Sequence, residues 1–336
     1  MSQAEHTAHG GRLQDAARTW QIPRADWLDV STGIAPWSWP VGQVPGEVWA
    51  RLPETDDGLM PAAAAYYGVS AKQLIAVPGS QFAIQTLPAL RRRGRVGVPA
   101  IGYREHARAW ARAGHALVFY DTLAALIDRA PQLDHAVVLA PNNPLGEMPD
   151  TEQLRALAAT LGPGRLIVDA AFMDCVDAPP ALPASAIVLR SVGKFFGLAG
   201  IRLGFVYGPP DILSPLNEAV QPWGVAHPAR WIGCRALADT AWQREQRARI
   251  HAGQAWLGDV LATALDARLV SGGLFVTALF ENETSAPFWH AALARQGILT
   301  RLGDDDRWLR FGLVTHTARP RLRAGLQRAC VYPQGR

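Results

Sequence analysis

The sequence predicts an α/β protein built on a mainly parallel sheet, with a second, smaller α+β unit. Three observations lead there. From about Lys72 onward, short Val/Ile/Leu-rich runs alternate with stretches of helical periodicity. Those runs are continuously apolar, as in strands buried on both faces, rather than alternating as in half-exposed strands. The chain is 336 residues long, 49% hydrophobic and 18% charged, a globular composition with length for roughly two domains.

Taken in order, LIAVPG precedes SQFAIQTLPALRRR, RVGVPA precedes YREHARAWARAG, and ALVFYD precedes TLAALIDRA. HAVVLAP then leads to DTEQLRALAATL, where Asp150 is placed to cap the helix, and on to RLIVDA. Crossovers between such strands should be right-handed. AIVLRS and RLGFVYG extend the sheet until a proline-rich stretch near Pro209 to Pro228 interrupts it. An Ala/Arg-rich helical region then reaches about Ala267, followed by RLVSGGLFVTALF, a helix near Ala286 to Gln296, and WLRFGL before a last helix. This reading gives a large domain over 46–225 and a small domain made by both termini, 1–45 and 226–336. The poorly periodic opening, with its PWSWP cluster, is expected to pack against the C-terminal unit.

Composition removes several function classes. Thirty-three basic residues stand against 29 acidic ones, a formal charge of +4, with no block of five or six like charges, so nucleic acid is not an expected partner. Cys175, Cys234 and Cys330 are far apart and lack metal-ligand or disulfide spacing, so no metal is expected. The opening MSQAEHTAHGGRLQ has no apolar core of a signal peptide, and no run approaches the roughly 18 apolar residues of a membrane helix. The expectation is a cytoplasmic protein without membrane partners. Only Lys72 and Lys194 are lysines, every other basic residue being arginine, so a lysine in an unusual setting calls for a chemical reason.

Lys194 is in such a setting. It lies in SVGKFFGLAGIRLG, after an apolar run and among Gly193, Gly197, Gly200 and Gly204, where backbone can approach a ligand closely. Ser191 and Arg202 flank it and suit a phosphate held beside a lysine able to form a Schiff base. Lys72, in the polar SAKQL, reads as an ordinary surface lysine. Three further strand ends supply matching groups. In AVPGSQFAI the turn at Pro78 and Gly79 opens a helix whose first amides, with Ser80 and Gln81, suit a phosphate, though any Ser-capped turn looks alike. In LAPNNPLGEM, Asn143 is either a hydrogen-bonding amide or part of a plain Asn-Pro turn. In LIVDAAF, Asp169 is either a cap or an anion facing a cationic ring nitrogen.

In this order and spacing these residues resemble the fold type I pyridoxal-phosphate enzymes, and more narrowly the group containing histidinol-phosphate aminotransferases and threonine-phosphate decarboxylases. The resemblance covers nearly the whole chain, and Ser191 through Lys194 to Arg202 is its most specific stretch. It implies pyridoxal 5'-phosphate as cofactor, carried by Lys194 as a Schiff base. It further implies Asp169 on the pyridine nitrogen, Asn143 on the ring 3-oxygen, Tyr103 stacked on the ring, and Ser80, Gln81, Ser191 and Arg202 on the phosphate. Arg310, in RWLRFGL, matches the family arginine that takes the substrate α-carboxylate through a planar, bidentate pair, although a strand arginine on the surface would look the same.

Within the group, His9-Gly10-Gly11 followed by WLDVSTGIAPW is similar to the opening of the decarboxylases, and Phe172 stands where aminotransferases usually carry a tyrosine. The same resemblance makes His9 and Arg301 candidates for a substrate phosphate. It implies a homodimer that decarboxylates L-threonine O-3-phosphate to (R)-1-amino-2-propanol O-2-phosphate for cobalamin biosynthesis. An aminotransferase of histidinol phosphate or a related amino acid is the alternative, and a non-catalytic cofactor-binding sensor a remote one. Ala140, Ala170 and Leu52 depart from the family pattern, and Leu52 replaces a tyrosine that relatives often extend toward the neighbouring subunit's cofactor phosphate.

Overall fold

The computed structural model describes residues 9–330. Seven strands form the main sheet, in the order Leu74–Val77, Gly204–Tyr207, Ile187–Ser191, Leu166–Asp169, His135–Leu139, Arg95–Pro99 and Ala116–Tyr120. Six of the seven strands point the same way, and Gly204–Tyr207 runs against them, pairing antiparallel with both of its neighbours. The reversal follows from the connection between Ser191 and Gly204, which is about the dozen residues that a parallel crossover needs as a minimum. It is filled by the Lys194 turn and leaves no return helix.

Apolar layers cover both faces of this sheet. Val138, Val168 and Val188 pack with Leu154, Leu157 and Leu161 on one side. Val137, Ile167, Leu189 and Val206 pack with Ile84, Leu87 and Trp110 on the other. The helix Thr151–Leu161 starts at a capping box in which Asp150 and Gln153 satisfy each other's backbone amides, as the sequence pattern requires.

The chain divides into two compact units: Ser38–Arg247, which holds the seven-stranded sheet, and the described residues up to Trp37 together with those from Ala248 onward. Their limits differ from the 46–225 and terminal segments read from the sequence. The helix His227–Ala238 packs on Leu59–Tyr67 in the larger unit, which carries the limit past 225 and into the helix Thr240–Ala264. The PWSWP segment is also split. Ser38 Oγ donates to the Gly197 carbonyl at 2.9 Å and Trp39 N to the Phe196 carbonyl at 2.9 Å, so this part of the opening braces the Lys194 loop instead of the C-terminal unit. The stretch near Pro209 is not a plain interruption, because it holds the helix Pro210–Val220, begun by a proline whose missing N–H costs nothing at a helix start.

The smaller unit carries a four-stranded antiparallel sheet, Arg301–Leu302, Trp308–Gly312, Phe275–Leu279 and Arg268–Ser271, in that order. Leu28–Asp29 pairs parallel with Ile298–Leu299. A helix that the sequence reading missed, Leu13–Trp20, packs Ala16 with Trp27 and Ala294.

Candidate active site

In the larger unit the candidate residues gather at the C-terminal ends of the parallel strands, the edge at which open α/β sheets take their ligands. Asp169 closes its strand with 8% of its surface exposed. The Ala171 amide donates to Asp169 Oδ1 at 3.1 Å, and His106 Nε2 donates to Oδ2 at 2.8 Å. An ionised carboxylate accepts about four hydrogen bonds, so an acceptor position remains beyond these two. His106 escaped the sequence reading because a histidine in an amphipathic helix looks like core. Its signal is its nearness to Tyr103, which stands just before the helix Glu105–Arg112 that holds His106 in its first turn; their rings meet edge to face at 6.3 Å.

Tyr103 donates its hydroxyl to Gln81 Oε1 at 2.9 Å, and Gln81 Nε2 donates to Glu105 Oε2 at 3.3 Å. The Gln81 side chain is thus committed to fixing the tyrosine, which leaves its backbone amide as the group open to a phosphate. Burial first, then Glu105 and Asp169, push the Tyr103 phenol up to about 12, so it stays neutral. Asn143 is half-buried in the loop after His135–Leu139, beside Asn142, whose amide donates to the Ile101 carbonyl at 3.0 Å.

Ser191 ends its strand and is buried. Lys194 follows in the single turn Val192–Phe195, with its Nζ 5.4 Å from the centre of the Phe172 ring. Arg202, exposed and in the left-handed region with φ 54°, donates to the Ala199 carbonyl at 3.1 Å. Its guanidinium lies against the Gly79 turn, where an added Cβ would be 2.6 Å from Nη2. A Cβ at Gly204 would sit 2.5 Å from the Ser80 amide nitrogen. Glycine at both positions keeps Ser80, Ser191 and Arg202 close together. An amine, a carboxylate behind a histidine, a neutral aromatic and a cationic cradle opened by glycines match what pyridoxal phosphate requires: a lysine, a partner for the ring nitrogen, a stacking face and phosphate donors.

The smaller unit gathers the other candidates. Arg301 and Arg310 are directly paired across neighbouring antiparallel strands, which puts two like charges on one face of the sheet. Arg310 is buried, donates to the Ser31 carbonyl at 2.6 Å and lies 5.2 Å from the Phe275 ring centre. Burial first, and the Arg301 charge second, disfavour its cation, an arrangement that an anionic ligand would relieve. Arg301 is held by Asp304 Oδ1 at 2.9 Å and by the Leu302 carbonyl at 2.6 Å. The His9-Gly10-Gly11 segment lies on the same Ser31. The Gly11 amide donates to Ser31 Oγ at 2.7 Å, and Ser31 Oγ donates to Asp29 Oδ1 at 2.6 Å. His9 is exposed at the edge of this arrangement.

The model of the aminotransferase class I and II family matches residues 48–325. The chain belongs to that family. A threonine-phosphate decarboxylase of Pseudomonas aeruginosa is 45% identical over 318 residues, which cover 92% of this chain and 94% of that one. A histidinol-phosphate aminotransferase of Granulibacter bethesdensis is 32% identical over 201 residues, 56% of this chain and 50% of its own. Among solved structures, the histidinol-phosphate aminotransferase of Sinorhizobium meliloti in complex with pyridoxal-5'-phosphate superposes with a TM-score of 0.85 at 18% identity, over 98% of this chain and 97% of that one. No helix of the described residues is long and apolar enough to cross a membrane.

Proposed function

We propose that the protein is a pyridoxal 5'-phosphate-dependent decarboxylase that converts L-threonine O-3-phosphate to (R)-1-amino-2-propanol O-2-phosphate and carbon dioxide, a step that serves cobalamin biosynthesis. The observation that carries this reading is the Arg301 and Arg310 pair beside a Ser31-docked His-Gly-Gly segment. Two neighbouring cations suit a substrate with two anionic groups, a carboxylate and a phosphate. Near full-length similarity to a threonine-phosphate decarboxylase supports it, whereas the similarity to the histidinol-phosphate enzyme covers about half of each chain.

When bound, the cofactor supplies a protonated pyridine ring that accepts the electron pair left on Cα as the carboxylate departs. Each protein group then has a defined task. Lys194 provides the covalent attachment, and its Nζ, released by the substrate amine, returns a proton to Cα. Asp169, oriented by His106 and the Ala171 amide, holds the proton on the ring nitrogen. Tyr103 would stack on the ring, and Asn143 would donate to the ring 3-oxygen. Ser80, the Gln81 amide, Ser191 and Arg202 bind the cofactor phosphate. Arg310 orients the substrate carboxylate, and His9 and Arg301 take the substrate phosphate. Phe172 presents an apolar surface near Lys194, which favours loss of the carboxylate charge as carbon dioxide.

The working form is proposed to be a cytoplasmic homodimer. Trp49, Leu52 and Trp223, exposed to 67%, 60% and 60%, supply apolar surface for an interface, and Leu52 contributes to it without the cross-subunit hydroxyl common in relatives.

Product analysis tests the reading. Cofactor-loaded protein given threonine phosphate should release carbon dioxide and a phosphorylated amino alcohol in equal amounts, with no need for a keto acid, and Lys194→Ala should release neither. Glutamate formed from 2-oxoglutarate with histidinol phosphate, together with no carbon dioxide from threonine phosphate, would replace the decarboxylase with an aminotransferase.

A further inference from the structure

Beneath the candidate cofactor residues, on the opposite face of the main sheet, lies a buried ion pair with no part in the chemistry above. Consecutive strand residues point to opposite faces. Ser191 and Asp169 share the parity of Leu189 and Ile167, and so the face of the sheet that packs against Ile84 and Trp110. Arg190 shares the parity of Val188 and points to the other face, where its Nη2 donates to Asp174 Oδ1. Both side chains are more than nine-tenths buried.

Phenols and a thiol surround this pair. The Arg190 guanidinium lies 4.7 Å from the Tyr67 ring centre. Burial first, then Asp174, push the phenols of Tyr66 and Tyr67 up, and the same two causes raise the Cys175 thiol. Tyr207, partly buried, is raised as well, and Arg247 adds a positive charge that acts on Tyr66. All of these neutral groups keep their protons, so Asp174 is the anion that balances Arg190.

What makes the pair more than core is where its two ends lie in the chain. Arg190 immediately precedes Ser191 and stands four residues before Lys194. Asp174 sits in the turn Met173–Cys175, which is separated from Asp169 by three residues. That turn is closed by Met173 N donating to the Ala170 carbonyl and Cys175 N to the Phe172 carbonyl, both at 3.1 Å. The segment so closed, 170–175, carries the Ala171 amide that holds Asp169 Oδ1 and the Phe172 ring that faces Lys194.

We propose that Asp174 and Arg190 are positioning residues. Their contact through Arg190 Nη2 and Asp174 Oδ1 ties the turn after Asp169 to the strand that leads into Lys194, fixing the carboxylate and the amine relative to one another from behind the sheet. The proposal rests on the cofactor reading above.

The test uses holoenzyme and three variants, Asp174→Asn, Asp174→Glu, and the double substitution Asp174→Asn with Arg190→Met, which removes both charges and so leaves no unpaired buried ion. Thermal unfolding reports the fold, and pH titration of the cofactor's visible band reports the Lys194 and Asp169 environment. The double variant should fold like the parent, yet show a displaced band midpoint and a kcat for threonine phosphate lower by about tenfold or more, with KM changed much less, the scale of loss seen when outer-shell partners are removed. Asp174→Glu, which keeps the charge on a longer arm, should restore part of the midpoint. A folded double variant with the parent's band midpoint and kcat would overturn the proposal. Should the double variant not fold, a folded Asp174→Asn variant with the parent's band midpoint and kcat would overturn it as well. A parent enzyme that shows the cofactor band but no decarboxylation would instead reject the proposed reaction and leave the band midpoint as the measure of positioning.

Discussion

His106 and Asp169, 63 residues apart in the chain, meet through a 2.8 Å bond at a place where both side chains are almost fully buried. The histidine comes from the helix Glu105–Arg112 and the carboxylate from the end of Leu166–Asp169. With the Ala171 amide on the other oxygen, the carboxylate has one orientation and cannot turn away from a ligand in front of it.

From this follows the first prediction. His106→Leu should lower kcat by about tenfold to a hundredfold, because an unrestrained carboxylate holds the ring-nitrogen proton less well. His106→Gln, whose amide can reach the same oxygen, should retain more of the rate. Steady-state kinetics at saturating cofactor checks both, and undiminished turnover in a folded His106→Leu protein would reduce His106 to a packing residue.

The pair also marks the boundary of what the sequence discloses. Lys194 stood out because a rare lysine among glycines is odd for its setting, whereas Asp169, readable alone as a cap or an anion, stood out only through the family resemblance. His106 and Arg190 did not, because each looks ordinary alone and gains meaning only from a partner distant in sequence. The parallel strands were legible from continuous apolar runs, but such runs read the same in either direction. The reversal of Gly204–Tyr207 was carried only by the brevity of its connection to Ser191. The helix Leu13–Trp20 went unread since the Trp/Pro-rich residues that follow it dominate the local pattern.

A second prediction concerns acid stability. His135 is buried at the start of its strand, where Nε2 donates to the Arg92 carbonyl at 3.3 Å, and Nδ1 has no hydrogen-bond partner among the described residues. A second proton would create a buried N–H without an acceptor. Burial, partly opposed by the Arg92 contact, lowers the group from 6.5 to about 4, with Arg91 and His115 acting in the same direction as burial and Asp134 against it. The folded value lies below the unfolded one, so as pH falls the unfolded chain takes up the proton first. The stability contributed by neutral His135 is therefore complete above about 6.5 and is lost progressively toward 4. Denaturant midpoints measured between pH 7 and 4.5 should fall more steeply for the parent than for His135→Asn. Parallel curves would show that His135 does not titrate in this window.

The last prediction isolates recognition of the substrate phosphate. Gly10 lies against Ser31 so closely that a Cβ would overlap the Ser31 carbonyl oxygen, the same oxygen that receives Arg310 Nη2. Backbone atoms cannot move aside as a flexible side chain can, so Gly10→Ala must lift the segment away from Ser31 or displace the carbonyl from Arg310. The segment, held on Ser31 by the bond from Gly11 N to Ser31 Oγ, is expected to move rather than the carbonyl that Arg310 holds. Lifting it carries His9 away while Arg310, anchored on its strand, remains. The expected signature is loss of discrimination, with kcat/KM for threonine phosphate falling by about tenfold or more, roughly 1.4 kcal/mol, and kcat/KM for unphosphorylated threonine changing little. The opposite displacement would disturb Arg310 and weaken both substrates together. Kinetics with the two substrates, beside Arg310→Leu as the variant that should impair both, separates these outcomes, and equal losses in Gly10→Ala would remove the His-Gly-Gly segment from phosphate recognition.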